Sequence, residues 1–149
     1  MCLRIPGKGQ PGASLLAAHA KRLPSVPVLV ATAFLQLARF DFLITVSGFR
    51  DLYEAVRVCS LGRITDDNDA LPKICRATEC ACVCYWKQIR CLHRSAATVS
   101  VLRKFGIPAH LVIGTQSLPF KAHAWVEVDG QVVNDKPYMR EIYAVLNLC

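Results

Sequence analysis

The segment CLHRSAATVSVLRKFGIPAHLVIGT, residues 91–115, decides the fold because its hydrophobic period changes partway along it. One helical face is marked by apolar residues at the required spacing: Leu92, Ala96, Val99 and Leu102. Gly106, with Pro108 beyond it, is typical of a helix end. From Leu111 to Thr115 the period becomes two, as in a strand. The sequence therefore predicts a helix along this segment that leads directly into a sheet.

Helical patterns also fill the chain before this segment. Ser25 can cap a helix that has Pro27 in its first turn and runs to about Val46. A further helix has one apolar stripe, at i, i+3, i+4 and i+7: Phe49, Leu52, Tyr53 and Val56. Another helical stretch begins at Pro72 and continues through Ile89, with no helix-breaking residue after it.

Two more strands are predicted after the opening segment, at Ala122 to Glu127 and at Gln131 to Asp135. Helices first and an antiparallel sheet afterwards define an α+β fold. We expect residues 1–13 to be a disordered tail and residues 14–149 to form one domain. Its helical part would span 14–90, beginning with a short helix from Ser14 to Leu23, and the remaining helix and sheet would span 91–149.

Composition narrows the classes of partner. The net charge is +7, from 18 Lys and Arg against 11 Asp and Glu, which suits an acidic peptide or an acidic protein. No stretch alternates basic and aromatic residues, so nucleic acid is not expected. The longest apolar run, Val26 to Leu35, is short for a bilayer span, and Gln36, Arg39 and Asp41 interrupt its continuation. We therefore expect a buried helix there and no membrane association.

The N-terminal sequence and the spacing of the cysteines together indicate the redox state of the thiols. Arg4 and Lys8 are followed by prolines and glycines where a secretion signal has its apolar segment, so we expect a cytoplasmic protein with reduced thiols. Zinc sites favour cysteines separated by two residues, whereas one cluster here has a different spacing: Cys75, Cys80, Cys82 and Cys84. Buried packing is favoured for this cluster over a metal, and no cofactor is expected.

Cys91 is the candidate nucleophile. A thiol at a helix N-terminus meets the positive end of the helix dipole, and Arg90 and Arg94 add positive charge that favours the thiolate. His123 and then Asp135 follow it along the chain. A cysteine, a histidine and an acid in this order match a nucleophile, its general base and the group that orients the base.

The other polar residues near Cys91 are given different roles. His93 lies two residues from Cys91 and would point away from it around a helix. His110 begins a strand, where a surface or structural role is expected. Arg94 and Ser95 are expected to anchor the helix, and Glu127 to pack at the rim of the site.

The turn of the last hairpin determines which residue faces His123. A two-residue turn at Asp129-Gly130 would set His123 against Lys136 and mix polar with apolar partners along the strands. A three-residue loop would match the faces of the two strands and place His123 opposite Asp135. We therefore predict the three-residue loop and Asp135, with Asn134 as the alternative partner in the other register.

Three blocks of sequence carry a resemblance to a known family. They are Cys-Leu-x-Arg-Ser at 91–95, Gly-Ile-Pro-Ala-x-Leu-Val-Ile-Gly at 106–114, and Pro-Phe-x-Ala-His-Ala-Trp-Val-Glu with Asp-Gly and Asn-Asp at 119–135. Together they resemble the leader peptidase of lasso-peptide biosynthesis, in the transglutaminase-like branch of the papain-type cysteine proteases. The helical N-terminal half is compatible with that family in length and character.

The resemblance implies cleavage of a ribosomally made precursor peptide between leader and core, through a Cys91–His123–Asp135 triad and a thioester. The freed N-terminal amine of the core would then be joined to a side-chain carboxylate by a separate asparagine-synthetase-like cyclase. A stand-alone peptidase working with a separate small leader-recognition protein is expected. The start of a helix at Cys91 also rests on the resemblance, because nothing local breaks the helix before it.

Two other interpretations remain open. The same triad could transfer the acyl group to an amine, as transglutaminases do. A non-catalytic adaptor in a peptide-modifying complex, with zinc bound at the cysteine cluster, would have no single reactive thiol.

Overall fold

A computed structural model of the protein describes residues 22–149, so the expected tail at 1–13 and nearly all of the short helix at 14–23 lie outside the described part. Within that part, helices precede an antiparallel sheet and the α+β prediction is confirmed. The elements are α1 (Val26–Val46), α2 (Phe49–Arg57), α3 (Ala70–Cys84), α4 (Cys91–Lys104), β1 (Ala109–Ser117), β2 (Phe120–Val128), β3 (Gln131–Val132), α5 (Met139–Ile142) and β4 (Ala144–Leu148).

The sheet has the strand order β3-β2-β1-β4, and every pairing in it is antiparallel. Alternate residues of a strand face opposite sides of a sheet, and the β1–β2 hairpin follows this rule. Leu111 and Val126 belong to the core shared with the helices, whereas Val112 and Trp125 pack on the other side with Met139 of α5. The sheet is therefore covered on both faces at its centre.

Helix α4 packs against α1 and α3 on one side and against the sheet on the other. Its fully buried Ala96 and Ala97 keep the neighbouring elements close. The helix ends as predicted at Gly106, which has φ 80°, and the Ile107 N–H donates to the Leu102 carbonyl at 3.0 Å. A Cβ on Gly106 would lie 2.5 Å from the Ile64 Cα, so this position needs glycine for space as well as for conformation.

The predicted continuation of the preceding helix through Ile89 is wrong. Helix α3 ends at Cys84, and both Tyr85 (ψ 142°) and Arg90 (ψ 158°) are extended. The Tyr85 hydroxyl donates to Asp41 of α1 at 3.2 Å, and the Lys87 ammonium lies 2.6 Å from the same carboxylate. Contacts with α1 thus outweigh local helix propensity, and the chain restarts a helix at Cys91.

Helix α1 is buried on one face only. Four residues of its inner face are fully buried: Leu29, Ala33, Leu37 and Phe40. The opposite face is also apolar but exposed, with Val28, Leu35, Phe42 and Val46. By length and composition α1 could cross a membrane, because an 18-residue stretch of it has a mean hydropathy of 1.6. Of that stretch, 22% is buried inside the protein. The predicted helix to about Val46 is confirmed by these 21 residues, but the expected burial holds for one face of it only.

Candidate active site

Cys91 is the first residue of α4 and is partly exposed. The preceding Arg90 has an extended backbone, and its side chain makes no capping hydrogen bond with any described residue. The first intrahelical bond runs from the Arg94 N–H to the Arg90 carbonyl at 3.2 Å. The N–H groups of the first turn therefore point beyond the helix end that Cys91 begins.

His123 lies on β2 opposite Gly114 of β1, and its ring reaches the loop that follows β3. Its Nε2 is 2.9 Å from Oδ2 of Asp135. The same oxygen accepts a hydrogen bond from Nη2 of Arg94 at 2.7 Å, while Oδ1 accepts the Lys136 N–H at 2.9 Å. Asp135 is thus fixed from three sides and can hold the ring of His123 in one orientation.

The charge state of Asp135 follows from these contacts. Burial by itself would raise the pKa of Asp135, but the hydrogen bonds from His123 and the Lys136 N–H and the charge of Arg94 together hold it below its usual value. The carboxylate is therefore ionised at neutral pH. An ionised acceptor beside Nε2 favours the tautomer with a proton there and leaves Nδ1 as the basic nitrogen.

The predicted three-residue loop of the hairpin is wrong. Val128 pairs with Gln131, and the turn has two residues, Asp129 and Gly130, with φ values of 51° and 76°. Positive φ at both central residues is the signature of a type I′ turn, whose twist suits a hairpin. In an unbroken ladder this turn would have placed Lys136 against His123.

Asn134 changes the outcome because the backbone pairing ends just after Val132, with a last bond from the Val133 N–H to the Val126 carbonyl at 3.0 Å. Its Oδ1 accepts the Val126 N–H at 2.7 Å, so a side chain takes the position of the next strand carbonyl. Its Nδ2 donates to Oγ of Ser95 at 3.0 Å. The backbone is thereby displaced, and Asp135 reaches His123 although the strand register differs from the predicted one. Asn134, the alternative partner, instead ties the loop to β2 and α4.

The face of α4 that carries Cys91 is attached to the histidine and its acid. Arg94 and Ser95 follow Cys91 by three and four residues and therefore share its side of the helix. Arg94 reaches Asp135, and Oγ of Ser95 donates to the Ala124 carbonyl at 2.9 Å, next to His123. His123 and Asp135 are thus tied to the first turn of α4, the helix that Cys91 begins.

A second polar network lies behind His123. The ring of Tyr143 stacks against His123 with centroids 5.4 Å apart, and the Trp125 ring lies 6.3 Å from His123 and 6.1 Å from Tyr143. Trp125 donates to Glu127 at 2.8 Å, and Arg140 of α5 binds both oxygens of that carboxylate at 2.7 and 2.6 Å. The hydrogen bonds from Arg140 hold the pKa of Glu127 below its usual value in spite of burial.

Glu127 was expected at the rim of the site, but it is 1% exposed. The alternation of β2 does place it on the side of His123, but its partner Arg140 could not be predicted, because it comes from a helix of only four residues. Tyr143 was also missed, since it follows that helix directly.

The cysteine cluster of α3 is spread around the helix. Cys80 and Cys84 are exposed, whereas Cys75 and Cys82 are partly buried. Burial raises the pKa of Cys75 to about 11 and raises that of Cys82 as well. Among residues 22–149 no three His, Cys, Asp or Glu side chains come together as a metal site would require. The described residues therefore provide no set of ligands for the zinc of the adaptor alternative.

Comparisons with known proteins agree with this architecture. Residues 35–148 match the model of the Transglutaminase-like superfamily. A segment of 56 residues is 50% identical to the Microcin J25-processing protein McjB of Escherichia coli, and it spans 38% of this chain and 27% of that protein. No solved structure matches. Since the family model covers most of its length, the chain belongs to the transglutaminase-like superfamily.

Proposed function

We propose that this protein is a cysteine peptidase that removes the leader from a lasso-peptide precursor. The observation that carries the proposal is the His123–Asp135 pair, held by Arg94 against the face of α4 that begins with Cys91. The identity to a microcin J25-processing protein supports a precursor peptide as the substrate.

In the first half of the reaction, the Cys91 thiolate attacks the carbonyl carbon of the scissile peptide bond. His123, protonated by the thiol, gives this proton to the leaving nitrogen as the C–N bond breaks. The core departs with a free N-terminal amine, and the leader stays bound to sulfur as a thioester. Asp135 keeps the ring oriented and stabilises its charged form.

In the second half, His123 takes a proton from water, and the resulting hydroxide attacks the thioester carbonyl. The C–S bond breaks, the leader leaves with a carboxylate, and the thiolate is restored. The N–H of Cys91 is our first candidate for stabilising the oxyanion in both halves, since it lies at the uncapped start of α4. Gln88, which lines the cleft beside Arg94, is a second candidate.

The proposal includes the partners that the family resemblance implies. The leader would be presented by a separate small recognition protein, and the core amine would pass to an asparagine-synthetase-like cyclase. We place these steps in the cytoplasm, since the seven cysteines of the described chain are all free, as a reducing compartment requires.

The test is mass spectrometry of a lasso-peptide precursor incubated with this chain and a leader-recognition protein. We expect one cut that releases leader and core, and no cut with Cys91→Ala. Cys80→Ala, which removes an exposed thiol of α3, is the matched control and should cleave normally. Cleavage by Cys91→Ala at the original rate would refute the mechanism. Transfer of the leader to an added amine in place of hydrolysis would favour the acyltransferase instead.

A further inference from the structure

Trp86 is the most unusual exposed residue near the candidate site. It lies in the irregular segment between α3 and α4, and 69% of it is exposed to solvent. Its ring stacks on Tyr85 with centroids 4.0 Å apart, and the Phe34 ring of α1 lies at 5.8 Å. The Trp86 ring thus packs on Tyr85 and Phe34 on one side, while its outer face is open to solvent.

The support of Trp86 is rigid. Tyr85 is 7% exposed and donates its hydroxyl to Asp41, and Lys87 forms an ion pair with the same carboxylate. Burial by itself would raise the pKa of Asp41, but the hydrogen bonds from Lys87 and Tyr85 and the charge of Lys87 hold it below its usual value, so Asp41 is ionised. Both chain neighbours of Trp86 are therefore fastened to α1.

The same segment walls a cleft of about 440 Å³ that reaches Arg94, the partner of Asp135, although Cys91, His123 and Asp135 do not themselves line it. Trp86 and the partly buried Ile89 give it an apolar surface, and Gln88 lies beside them. Arg94 and Lys87 also line the cleft, and Arg94 binds Asp135. A cleft that combines an aromatic and an aliphatic side chain with polar groups, one of them three residues after the candidate nucleophile, has the composition of a substrate pocket.

We propose that this cleft binds a bulky apolar side chain of the peptide on the acyl side of the scissile bond, with Trp86 as the contact surface. The inference rests on the proposed peptidase function. The acyl side is assigned because that part of the substrate stays on the enzyme as a thioester, and a fixed aromatic surface would hold it while water enters. Because the surface is already ordered, little conformational entropy is lost on binding.

The test measures alkylation of Cys91 in the full-length protein by intact-mass and peptide-mapping time courses. Two blocked chloromethyl ketones that differ only in a phenylalanyl or a glycyl side chain are compared with iodoacetamide. The phenylalanyl reagent should react about tenfold faster than the glycyl one, which corresponds to about 1.4 kcal/mol. Trp86→Ala should remove this preference without changing the iodoacetamide rate, and Trp86→Phe should restore most of it.

Phe42→Ala is the matched control, because Phe42 is 66% exposed on the outer face of α1 and lines no part of the cleft. It should leave the preference intact. Equal rates for the two ketones, or a preference that survives Trp86→Ala, would overturn the inference. A loss of the iodoacetamide reaction in Trp86→Ala would also overturn it, since Trp86 would then act through the fold of the segment.

The proposed function fails by a different result. If iodoacetamide modifies Cys91 of the unaltered protein no faster than the exposed Cys80, Cys91 is not an activated nucleophile, whatever Trp86 does. A preference for the phenylalanyl reagent that coincides with dimer formation in size-exclusion chromatography would assign the Trp86 surface to a second copy and overturn the substrate role.

Discussion

Two histidine–aspartate pairs lie on different sides of α4, and they differ in how the acid is shared. On the side of the sheet, His123 lies 2.9 Å from Asp135 and is partly exposed. On the side of α1, His93 is 7% exposed and its Nε2 lies 3.8 Å from Asp41, too far for a hydrogen bond. Neither ring nitrogen of His93 forms a hydrogen bond with any described residue.

The difference shows that a histidine close to Cys91 in the sequence is not for that reason suited to act as its general base. Asp41 already accepts a hydrogen bond from Tyr85 and forms an ion pair with Lys87, so its carboxylate is shared with partners other than His93. Burial lowers the pKa of His93, and Lys87 and Arg90 add to this effect against the opposing charge of Asp41. His93 is therefore held neutral inside the protein, whereas His123 has an ionised acid beside it and an open side.

The largest predicted effect separates the two histidines by activity. His123→Gln should lower kcat/KM for precursor cleavage by about a thousandfold or more, because a general base is lost. His93→Gln should lower it by less than about tenfold, because that ring carries no proton in the reaction. Precursor cleavage followed by mass spectrometry measures both. Equal losses would contradict the assignment of His123 alone as the general base.

The next effect concerns the acids. Asp135→Asn should lower kcat by a factor of about a hundred to ten thousand, since the ring of His123 loses its orienting charge. Asn134→Ala should lower it less, because Asn134 contacts Val126 and Ser95 and not His123. Single-turnover cleavage rates of the two variants give the comparison. A greater loss in Asn134→Ala would make the amide the third member of the triad.

Asn134→Ala should instead appear as a loss of stability. It removes hydrogen bonds to the Val126 N–H and to Ser95 from a partly buried loop, at a cost of about 1–3 kcal/mol in the free energy of unfolding. Urea denaturation measures this change. Asn68→Ala, in the exposed loop before α3, is the control and should change the free energy by less than about 0.5 kcal/mol. An equal change in both variants would remove the loop-fixing role of Asn134.

The sequence predicted the elements whose pattern is local. The change of period after Gly106 marked the end of α4 and the start of the sheet, and both are observed. The helix start at Cys91 was not locally visible, because the break before it is made by Tyr85 and Lys87 binding Asp41, more than forty residues away along the chain. A helix boundary set by tertiary contacts leaves no composition signal at the boundary itself.

The hairpin shows a second limit. Matching apolar faces favoured the wrong register because that rule assumes a continuous ladder, whereas β3 has two residues. The Asn134 side chain replaces a backbone partner of Val126, and this substitution moves Asp135 into the position that the longer loop would have given it. The contact between His123 and Asp135 was therefore anticipated on the basis of a register that does not occur.

The smallest effect is a pH dependence that distinguishes the buried pair. The pKa of His93 is lowered on folding from its ordinary value of 6.5, so between the folded and unfolded values the unfolded chain binds more protons. Stability should therefore fall as pH is lowered below about 6.5, and His93→Gln should remove that part of the loss. The carboxylates with lowered pKa values, Asp41 and Asp135, lose their contributions to stability only at more acidic pH.

Denaturation midpoints between pH 5.5 and about 7.5 measure the slope of stability against pH, with Val58→Ala, at an exposed position, as control. An unchanged slope in His93→Gln would mean that His93 is protonated equally in the folded and unfolded chains, and the contrast between the two pairs would then rest on geometry alone.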